Sequence, residues 1–461
     1  MDSLLAISPI DGRYRGRVKE LAWSMSELGL FRKRARVIVE LPIAFSEHLH
    51  LPVRQITLAE CSLLRSLPRK LGLRDGKLIK KIETKGTDKH KKTNHDVQAE
   101  ILFIRDVLET TSLADIIQWI HFAGTSEDVN NIAYALQLRD AVTVLIKDID
   151  KVCSVLRALA TGEALVSMLA RTHGQPASPT TFGKEVRNFL ARMERQLHQL
   201  KTFRLLVKYN GATGNYNAHV AAFPDVDWIA FTRDFIERFN ERQKVLLFEP
   251  NLFTTQIEPH DTYAELFGIL NRMSIILIDM CQNLWRYISD DWIVQAIEGT
   301  GSSAMPQKVN PIDIENAEGN LFVSHALMEM FSHTLPISRL QRHLSDSTII
   351  RNFGVACGHL LVSYRSILKG LGRYSINDEV IMRALNEHPE VLSEALQNIL
   401  RREGNVQGHQ LIEKQVQGKK VTIQDMRELI DSLPVSAEVK AEMMTITPSN
   451  YIGLAGKLAQ M

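Results

Sequence analysis

The sequence predicts an all-α protein of three helical domains, residues 1–112, 113–365 and 366–461, with a central bundle of long helices. Two observations predict this fold. Several long stretches place apolar residues three or four positions apart, and alternating strand patterns with hairpin signals are scarce. A composition of 45% hydrophobic and 23% charged residues over 461 positions is that of an ordinary globular protein with more than one domain.

Four stretches of the predicted central domain have helical periodicity. In residues 185–207 the apolar positions step by four and three, at Val186, Leu190, Met193, Leu197 and Leu200. Residues 262–286 repeat the pattern, and further isoleucines occupy their other faces. A helix that is apolar nearly all round is buried in a core or a subunit interface. Residues 131–160 and 314–334 have the same helical periodicity of apolar residues.

The two flanking regions differ from the bundle. Residues 69–92 are rich in lysine and interrupted by glycine, which is typical of a solvated surface segment. From about residue 366, shorter helices are broken at 386–389, 402–405 and 418–420, so we expect a small separate helical domain there.

Composition narrows the class of protein. The net charge of +2 by itself neither favours nor excludes a polyanionic partner. Four widely spaced cysteines form no C-x-x-C pair, which suits a reducing cytoplasm. The N-terminus resembles no signal peptide, and no apolar run reaches the roughly 18 residues of a membrane span. We expect a cytoplasmic protein with no membrane partner. We also expect no nucleic-acid partner.

Several polar clusters exceed what a structural helical protein needs. Residues 93–96 (TNHD) and 121–128 (HFAGTSED) each precede a predicted helix. Helix capping explains them in part, and for 121–128 it remains an equal alternative to ligand binding. His173 lies beside Gly174 in a loop or tight turn, and polar turns follow at 210–217 and 254–261.

Two further clusters carry charge or unusual turn residues. Arg339, Arg342, Ser347 and Arg351 form either a phosphate clamp or an ordinary salt-bridged face. Residues 299–311 read GTGSSAMPQKVNP, and the prolines argue against a dinucleotide-binding helix there. An ordinary flexible surface loop is the other alternative for this stretch. The sequence contains no metal-binding motif, so we expect neither a metal nor a cofactor. The scattered polar loops suit acid–base chemistry on an anionic substrate.

These residues resemble the fumarase/aspartase superfamily. Its signature, G-S-S-x-M-P-x-K-x-N-P, is matched at every fixed position by residues 301–311. Within the superfamily the chain is similar to the adenylosuccinate lyases of the bacterial type, and the stretches that carry this similarity are SPIDGRY (8–14), TNHDV (93–97), HFAGTSEDVNN (121–131), RTHGQPASPTTFGKE (171–185), NGATGNYNAH (210–219), TTQIEPHD (254–261), LSDSTIIRN (344–352) and TPSNYIG (447–453).

The resemblance implies a function and an assembly. It implies cofactor-free elimination of fumarate from adenylosuccinate, giving AMP, and from succinylaminoimidazole carboxamide ribotide (SAICAR), giving its carboxamide product AICAR. Adenylosuccinate is a purine nucleotide, and SAICAR is an earlier intermediate of purine nucleotide biosynthesis. The family fold is all-α, and it assembles as a homotetramer in which three subunits contribute to each active site.

The resemblance also implies roles for named residues. Ser302 is the general base and His173 the general acid, with Glu315 orienting the histidine. Lys308 and Asn310 hold the succinyl carboxylate, and His121 assists substrate binding. The remaining substrate-binding positions are Arg13, Tyr14, Asn94, His95, Asp96, Thr125, Ser126, Gln256, Asn316, Arg342, Ser347, Thr348 and Arg351.

One departure and two alternatives remain. Position 307 is Gln, where adenylosuccinate lyases often carry His, and we expect an effect on loop behaviour without loss of activity. Another lyase of the superfamily, such as argininosuccinate lyase or fumarase, is the first alternative, and purine-nucleotide binding would distinguish it. A non-catalytic homologue is the second alternative.

Overall fold

The computed structural model describes residues 2–48, 50–297, 305, 307–405 and 407–461. It is 63% helix and 6% strand, which confirms the predicted all-α class. Most of the signature loop, including Ser302, Gly299 and Gly301, lies outside the described residues.

The helices are numbered in chain order. They are α1 (Lys19–Met25), α2 (Glu27–Glu47), α3 (Leu58–Lys70), α4 (Leu73–Thr84), α5 (Asp96–Glu109), α6 (Ser126–Gly162), α7 (Phe182–Thr202), α8 (Asn217–Ala222), α9 (Trp228–Glu237), α10 (Asp261–Ser289), α11 (Ile312–Thr334), α12 (Ser345–Ile350), α13 (Phe353–Leu371), α14 (Asp378–Asn386), α15 (Ser393–Arg402), α16 (Gly408–Val416), α17 (Ile423–Ser432), α18 (Ala437–Met444) and α19 (Ala455–Ala459). Short 3₁₀ helices lie at Ser3–Leu5, Arg15–Arg17, Ala114–Trp119 and Pro389–Leu392.

The described strands form three two-stranded sheets. They are β1 (Ser167–Thr172) with β2 (Gln175–Thr181), β3 (Arg204–Val207) with β4 (Leu247–Pro250), and β5 (Ile293–Gln295) with β6 (Tyr374–Ile376). The first and third pairs are antiparallel and the second is parallel.

The four predicted central helices are present as α6, α7, α10 and α11. One boundary is wrong: helix was expected through residue 207, but α7 ends at Thr202 and β3 follows. In β3 the alternate residues Leu205 and Val207 are buried, and the strand pairs with β4 from Arg204–Leu247 to Val207–Pro250. Burial of alternate residues in a paired strand outweighs the continuing helical pattern here.

The lysine-rich segment 69–92 is also more ordered than expected. It contains α4, in which Ile79 and Ile82 are buried, so the prediction of a merely solvated segment is wrong there. Gly76 faces Leu28 and Phe31 of α2, and an added Cβ would lie 3.1 Å from the Leu28 side chain. Three apolar or small positions therefore suffice to seat α4, while Lys77 and Lys81 are exposed and Lys80 pairs with Glu27 and Glu83.

The chain forms two compact units. The first comprises 1–149, 196–275 and 319–363, and the second comprises 150–195, 276–318 and 364–461. The division into three domains at 112 and 365 stays a prediction.

Each unit has its own apolar core. In the first, the Phe45 ring contacts Trp119, Trp228 and Phe231, with centroids 5.1–6.3 Å apart. In the second, α15, α16 and α17 bury a cluster of aliphatic side chains that includes Leu396, Ile412 and Leu429.

The predicted breaks in the C-terminal region are confirmed. Helix α14 ends at Asn386, α15 ends at Arg402, and the turn at 418–420 separates α16 from α17. Among the helices of the described chain, none has the length and apolar character to cross a membrane.

Candidate active site

The turn before α6 carries three predicted site residues in the first unit. His121 and Ala123 have φ values of 66° and 55°, so the chain turns sharply before the helix begins. The backbone N–H of Thr125 donates to Asp128 Oδ2 at 2.8 Å, which confirms the predicted capping by a downstream acid. Burial lowers the pKa of His121, partly offset by Asp128, so its imidazole is neutral near pH 7. This turn presents His121, Thr125 and Ser126 together.

A buried ion pair fixes this turn to two other polar segments. Lys208 Nζ lies 2.9 Å from Asp128 Oδ1, and both side chains are fully buried. The same ammonium donates to the carbonyl oxygens of Gly211 and Gln256 at 2.9 Å each. Asp128 also accepts from the backbone N–H of Asn210 and Gly211 at 3.2 Å each. The pair therefore ties together the polar segments 121–128, 210–217 and 254–261.

Arg342 is held by two groups of this region. Its Nη1 donates to Gln256 Oε1 at 3.2 Å, and its Nη2 lies 3.1 Å from Glu127 Oε2. The Gln256 backbone N–H donates to the carbonyl oxygen of Gln341 at 3.2 Å. Burial raises the pKa of Glu127, and the adjacent Arg342 offsets part of that rise. Gln256 and Arg342, both predicted for substrate binding, are thus in direct contact.

The start of α5 brings two more predicted residues to α6. A hydrogen bond of 3.1 Å joins His95 Nε2 and Ser126 Oγ. Asp96 Oδ2 accepts from Arg34 Nη2 at 2.7 Å and lies 3.8 Å from Arg351 Nη2. Burial by itself would raise the pKa of Asp96, but the charge and hydrogen bond of Arg34 hold it below its ordinary value. Asp96 is therefore a carboxylate that holds Arg34 and faces Arg351.

Helix α12 presents the rest of the predicted phosphate side. Arg351 is exposed, and its Nη1 donates to the Ser347 carbonyl oxygen at 2.7 Å. Thr348 is exposed and Ser347 is half-buried.

Three predicted site residues lie in other segments of the first unit. Arg13 and Asn94 are exposed, with Asn94 at a φ of 49°. Tyr14 accepts a long hydrogen bond of 3.5 Å from Asn320 at its hydroxyl oxygen.

In the second unit His173 occupies the tip of a hairpin. His173 and Gly174 form the two-residue turn between β1 and β2, with φ values of 54° and 75°. Two positive φ values match a type I′ turn, which confirms that His173 lies in a tight turn. Glu394 Oε2 accepts from Ser178 Oγ of β2 and, at 3.1 Å, from the Tyr451 hydroxyl. The C-terminal helices therefore hold the hairpin whose tip exposes His173.

The remaining predicted residues of the second unit lie around the start of α11. Lys308 is exposed and Asn310 is half-buried, ahead of the helix. Glu315 is exposed in the first turn and accepts from Trp285 Nε1 at 3.2 Å. Asn316 Oδ1 accepts from Ser366 Oγ at 2.8 Å. Among the described residues of one chain Glu315 thus bonds Trp285, and its role in orienting His173 stays a prediction.

Sequence reasoning missed the buried charges that hold these groups. Asp128, Lys208, Glu127, Arg34 and His260 were not predicted as part of the site. Lysine and glutamate are ordinarily exposed, so nothing in the spacing indicated burial. The signal available was position, because Lys208 lies two residues before the polar segment 210–217.

Comparison with known proteins finds relatives that match nearly the whole chain. The family described as "Lyase" matches residues 73–323, and the family described as "Adenylosuccinate lyase C-terminal" matches residues 338–452. The adenylosuccinate lyase of Escherichia coli (strain K12) is 40% identical over 99% of this chain and 98% of its own length. The one from Vibrio cholerae serotype O1 is 41% identical over 99% of both chains.

Solved structures confirm the fold. The 3-carboxy-cis,cis-muconate lactonizing enzyme from Pseudomonas putida has a TM-score of 0.71 at 18% identity and covers 95% of this chain and 94% of its own. A fumarate lyase from Mesorhizobium sp. BNC1 has a TM-score of 0.70 at 16% identity, with 96% of each chain covered. With matches along nearly the whole sequence, the chain belongs to the adenylosuccinate lyase family within the fumarase/aspartase superfamily.

Proposed function

We propose that the protein cleaves adenylosuccinate to AMP and fumarate, and SAICAR to AICAR and fumarate, by cofactor-free β-elimination in purine nucleotide biosynthesis. Membership of the adenylosuccinate lyase family along nearly the whole chain supports this activity. The observation that most directly supports the proposal is the pair of guanidinium groups, of Arg342 and Arg351, that flank Ser347 in the sequence.

These guanidinium groups suit a phosphate ester. Arg342 is fixed by Gln256 and Glu127, and Arg351 is fixed by the Ser347 carbonyl oxygen. An arginine whose orientation is already set binds phosphate with little further loss of side-chain freedom. Fumarase and argininosuccinate lyase act on substrates without phosphate, so a clamp of this kind favours a nucleotide substrate.

The elimination needs a base and an acid. Ser302, as alkoxide or with a neighbouring base, removes the proton from the carbon next to a succinyl carboxylate. The electron pair moves onto that carboxylate, where Lys308 and Asn310 stabilise the negative charge. The carbon–nitrogen bond then breaks to form fumarate, and His173 donates a proton to the departing purine nitrogen. Each proton transfer contributes roughly 10²–10⁴-fold to the rate.

The neighbouring polar groups hold the substrate. Because burial keeps His121 neutral, it binds by hydrogen bonding and adds no positive charge to the site. We assign Arg342, Ser347, Thr348, Arg351, Arg13 and Tyr14 to the phosphate and nucleoside. We assign the remaining contacts to Asn94, His95, Asp96, Thr125, Ser126, Gln256 and Asn316.

We also propose a cytoplasmic homotetramer whose active sites are shared between chains. Apolar side chains on the long helices support the assembly, since Ile275, Trp285, Phe322 and Val323 are 45–48% exposed in the single chain. None of the four cysteines, all of which lie within the described residues, is in a disulfide, which agrees with a reducing compartment.

The test is a substrate panel with a phosphate control. We expect turnover of adenylosuccinate and SAICAR, and none of argininosuccinate or malate. Arg351→Gln should raise KM for adenylosuccinate about 10- to 100-fold, as loss of a charge-assisted hydrogen bond predicts, and should leave KM for succinyladenosine unchanged. Arg427→Gln, an exposed change in the C-terminal region, is the matched control. Turnover of malate or argininosuccinate in place of the nucleotides would contradict the proposal.

A further inference from the structure

His260 is a buried histidine with no role in the chemistry described above. It directly precedes α10 at the end of the polar segment 254–261, and its side chain is fully buried. Its φ of 67° lies in the left-handed region, which costs about 1 kcal/mol or more for a residue with a Cβ. Its ring stacks on Tyr263 with centroids 5.1 Å apart and an interplanar angle of 6°. A strained, buried, polar residue indicates a specific task.

The imidazole of His260 lies between two carboxylates. Its Nδ1 is 3.8 Å from Glu258 Oε2, and its Nε2 is 3.7 Å from Asp346 Oδ2. Within the described part of the chain, neither ring nitrogen has a hydrogen-bond partner, and neither has Asp346 Oδ1. Polar groups buried in this way are costly to leave without a partner. Here such groups lie where the polar segment 254–261 contacts the first turn of α12.

Asp346 connects His260 to the proposed phosphate clamp. Asp346 lies in the first turn of α12, and Ser347 and Thr348 follow it directly. The two segments also meet at a second point, where Gln256 contacts Arg342 through its side chain and Gln341 through its backbone. The polar segment 254–261 therefore meets residues 341–346, which lead into α12, at two points.

We propose that His260 is a positioning residue that holds Asp346 and so fixes α12, with Ser347 and Arg351, for the phosphate of the substrate. The inference rests on the proposed function, because it assumes a phosphate-bearing ligand. Three carboxylates are buried at this junction, Glu127, Glu258 and Asp346. Arg342 pairs with Glu127, and the imidazole of His260 lies between the other two. Loss of the imidazole should displace α12 and weaken phosphate binding more than it slows the chemistry.

The test separates positioning from general stability. In His260→Leu and in Asp346→Asn we expect KM for adenylosuccinate and Kd for AMP, measured by calorimetry, to rise about tenfold, with kcat changed less than threefold. Affinity for adenosine, which lacks the phosphate, should equal that of the wild type. The two changes together should be less than additive, since both break one contact.

Controls make the outcome decisive. His219→Leu removes another fully buried histidine, whose ring nitrogens have no hydrogen-bond partner among the described residues, and it should leave Kd for AMP unchanged. If His260→Leu does not fold, His260→Gln, which keeps a hydrogen-bond donor, is tested in its place. We then expect a smaller rise in KM for adenylosuccinate and in Kd for AMP. Unchanged KM and Kd, or equal losses for AMP and adenosine, would overturn the inference. Failure of the proposed function shows differently, because the wild type itself would then leave adenylosuccinate uncleaved.

Discussion

At the scale of single residues, buried charge organises the candidate site. Lys208 has no exposed surface, and three oxygen atoms, from Asp128, Gly211 and Gln256, each lie 2.9 Å from its Nζ. A lysine can donate three hydrogen bonds, so this ammonium is fully satisfied. Removing one partner of such a pair leaves an uncompensated buried charge.

Lys208→Met should therefore destabilise the protein by about 3–5 kcal/mol, because Asp128 would lose its partner in a buried site. Lys77→Met, at an exposed lysine of α4, should change the free energy of unfolding by less than about 0.5 kcal/mol. Denaturant unfolding of both variants measures the difference. Equal stability of the two variants would show that the buried pair contributes little.

His219 supplies a prediction about pH. Burial against Tyr209, Tyr216 and Trp228 lowers its pKa to about 4, from an ordinary value near 6.5. The unfolded chain therefore binds the proton more readily, so stability is complete above pH 6.5 and falls as the pH drops towards 4. The loss from this group should reach roughly 3 kcal/mol.

The measurement compares unfolding free energies of the wild type and His219→Leu between pH 7 and pH 4. Contributions of other groups cancel in the difference, so the wild type should lose roughly 3 kcal/mol more than the variant over this range. A difference that does not change with pH would contradict the assignment.

At the scale of elements, the β1–β2 hairpin is the part that connects fold to chemistry. It places His173 in a two-residue turn whose second residue, Gly174, has a φ of 75°. Its strand β2 is held by Glu394, which also binds Tyr451 near the C-terminus. The position of His173 thus depends on a turn and on contacts from a distant part of the sequence.

Gly174→Ala should cost about 1 kcal/mol of stability, because a Cβ is disfavoured at this φ. It should also lower kcat at least about tenfold, since a displaced His173 donates its proton poorly. Gly162→Ala, where an added Cβ would meet nothing within 4 Å and the backbone is helical, is the control and should keep full kcat. An unchanged kcat in Gly174→Ala would show that the turn does not set the position of the acid.

Prediction from sequence succeeded best for long helices. In α7 and α10, apolar residues recur over several turns, so local periodicity alone defines the element. The hairpin was not predicted because its strands have six and seven residues and carry no clean alternation. The buried pair of Lys208 and Asp128 depends on residues 80 positions apart, which a periodic pattern does not report. Motif resemblance identified the polar loops, and contacts that hold those loops required the structure.

At the scale of the whole molecule, the residues proposed for binding and for catalysis are divided between the two compact units. The first unit holds the proposed phosphate clamp, and the second holds His173, Lys308 and Glu315. If sites are shared between chains, mixing Ser302→Ala with His173→Ala protein under conditions that exchange subunits should restore part of the activity. A mixture as inactive as either variant alone would contradict shared sites.

The proposed activity is one elimination reaction that depends on two residues, Ser302 and His173. Ultraviolet absorbance of the purified protein with adenylosuccinate tests it directly, with the wild type measured beside Ser302→Ala and His173→Ala. We predict conversion to AMP and fumarate by the wild type, and a loss of kcat of roughly 10²–10⁴-fold in each variant. Full activity in either variant, or no conversion of adenylosuccinate by the wild type, would contradict the account.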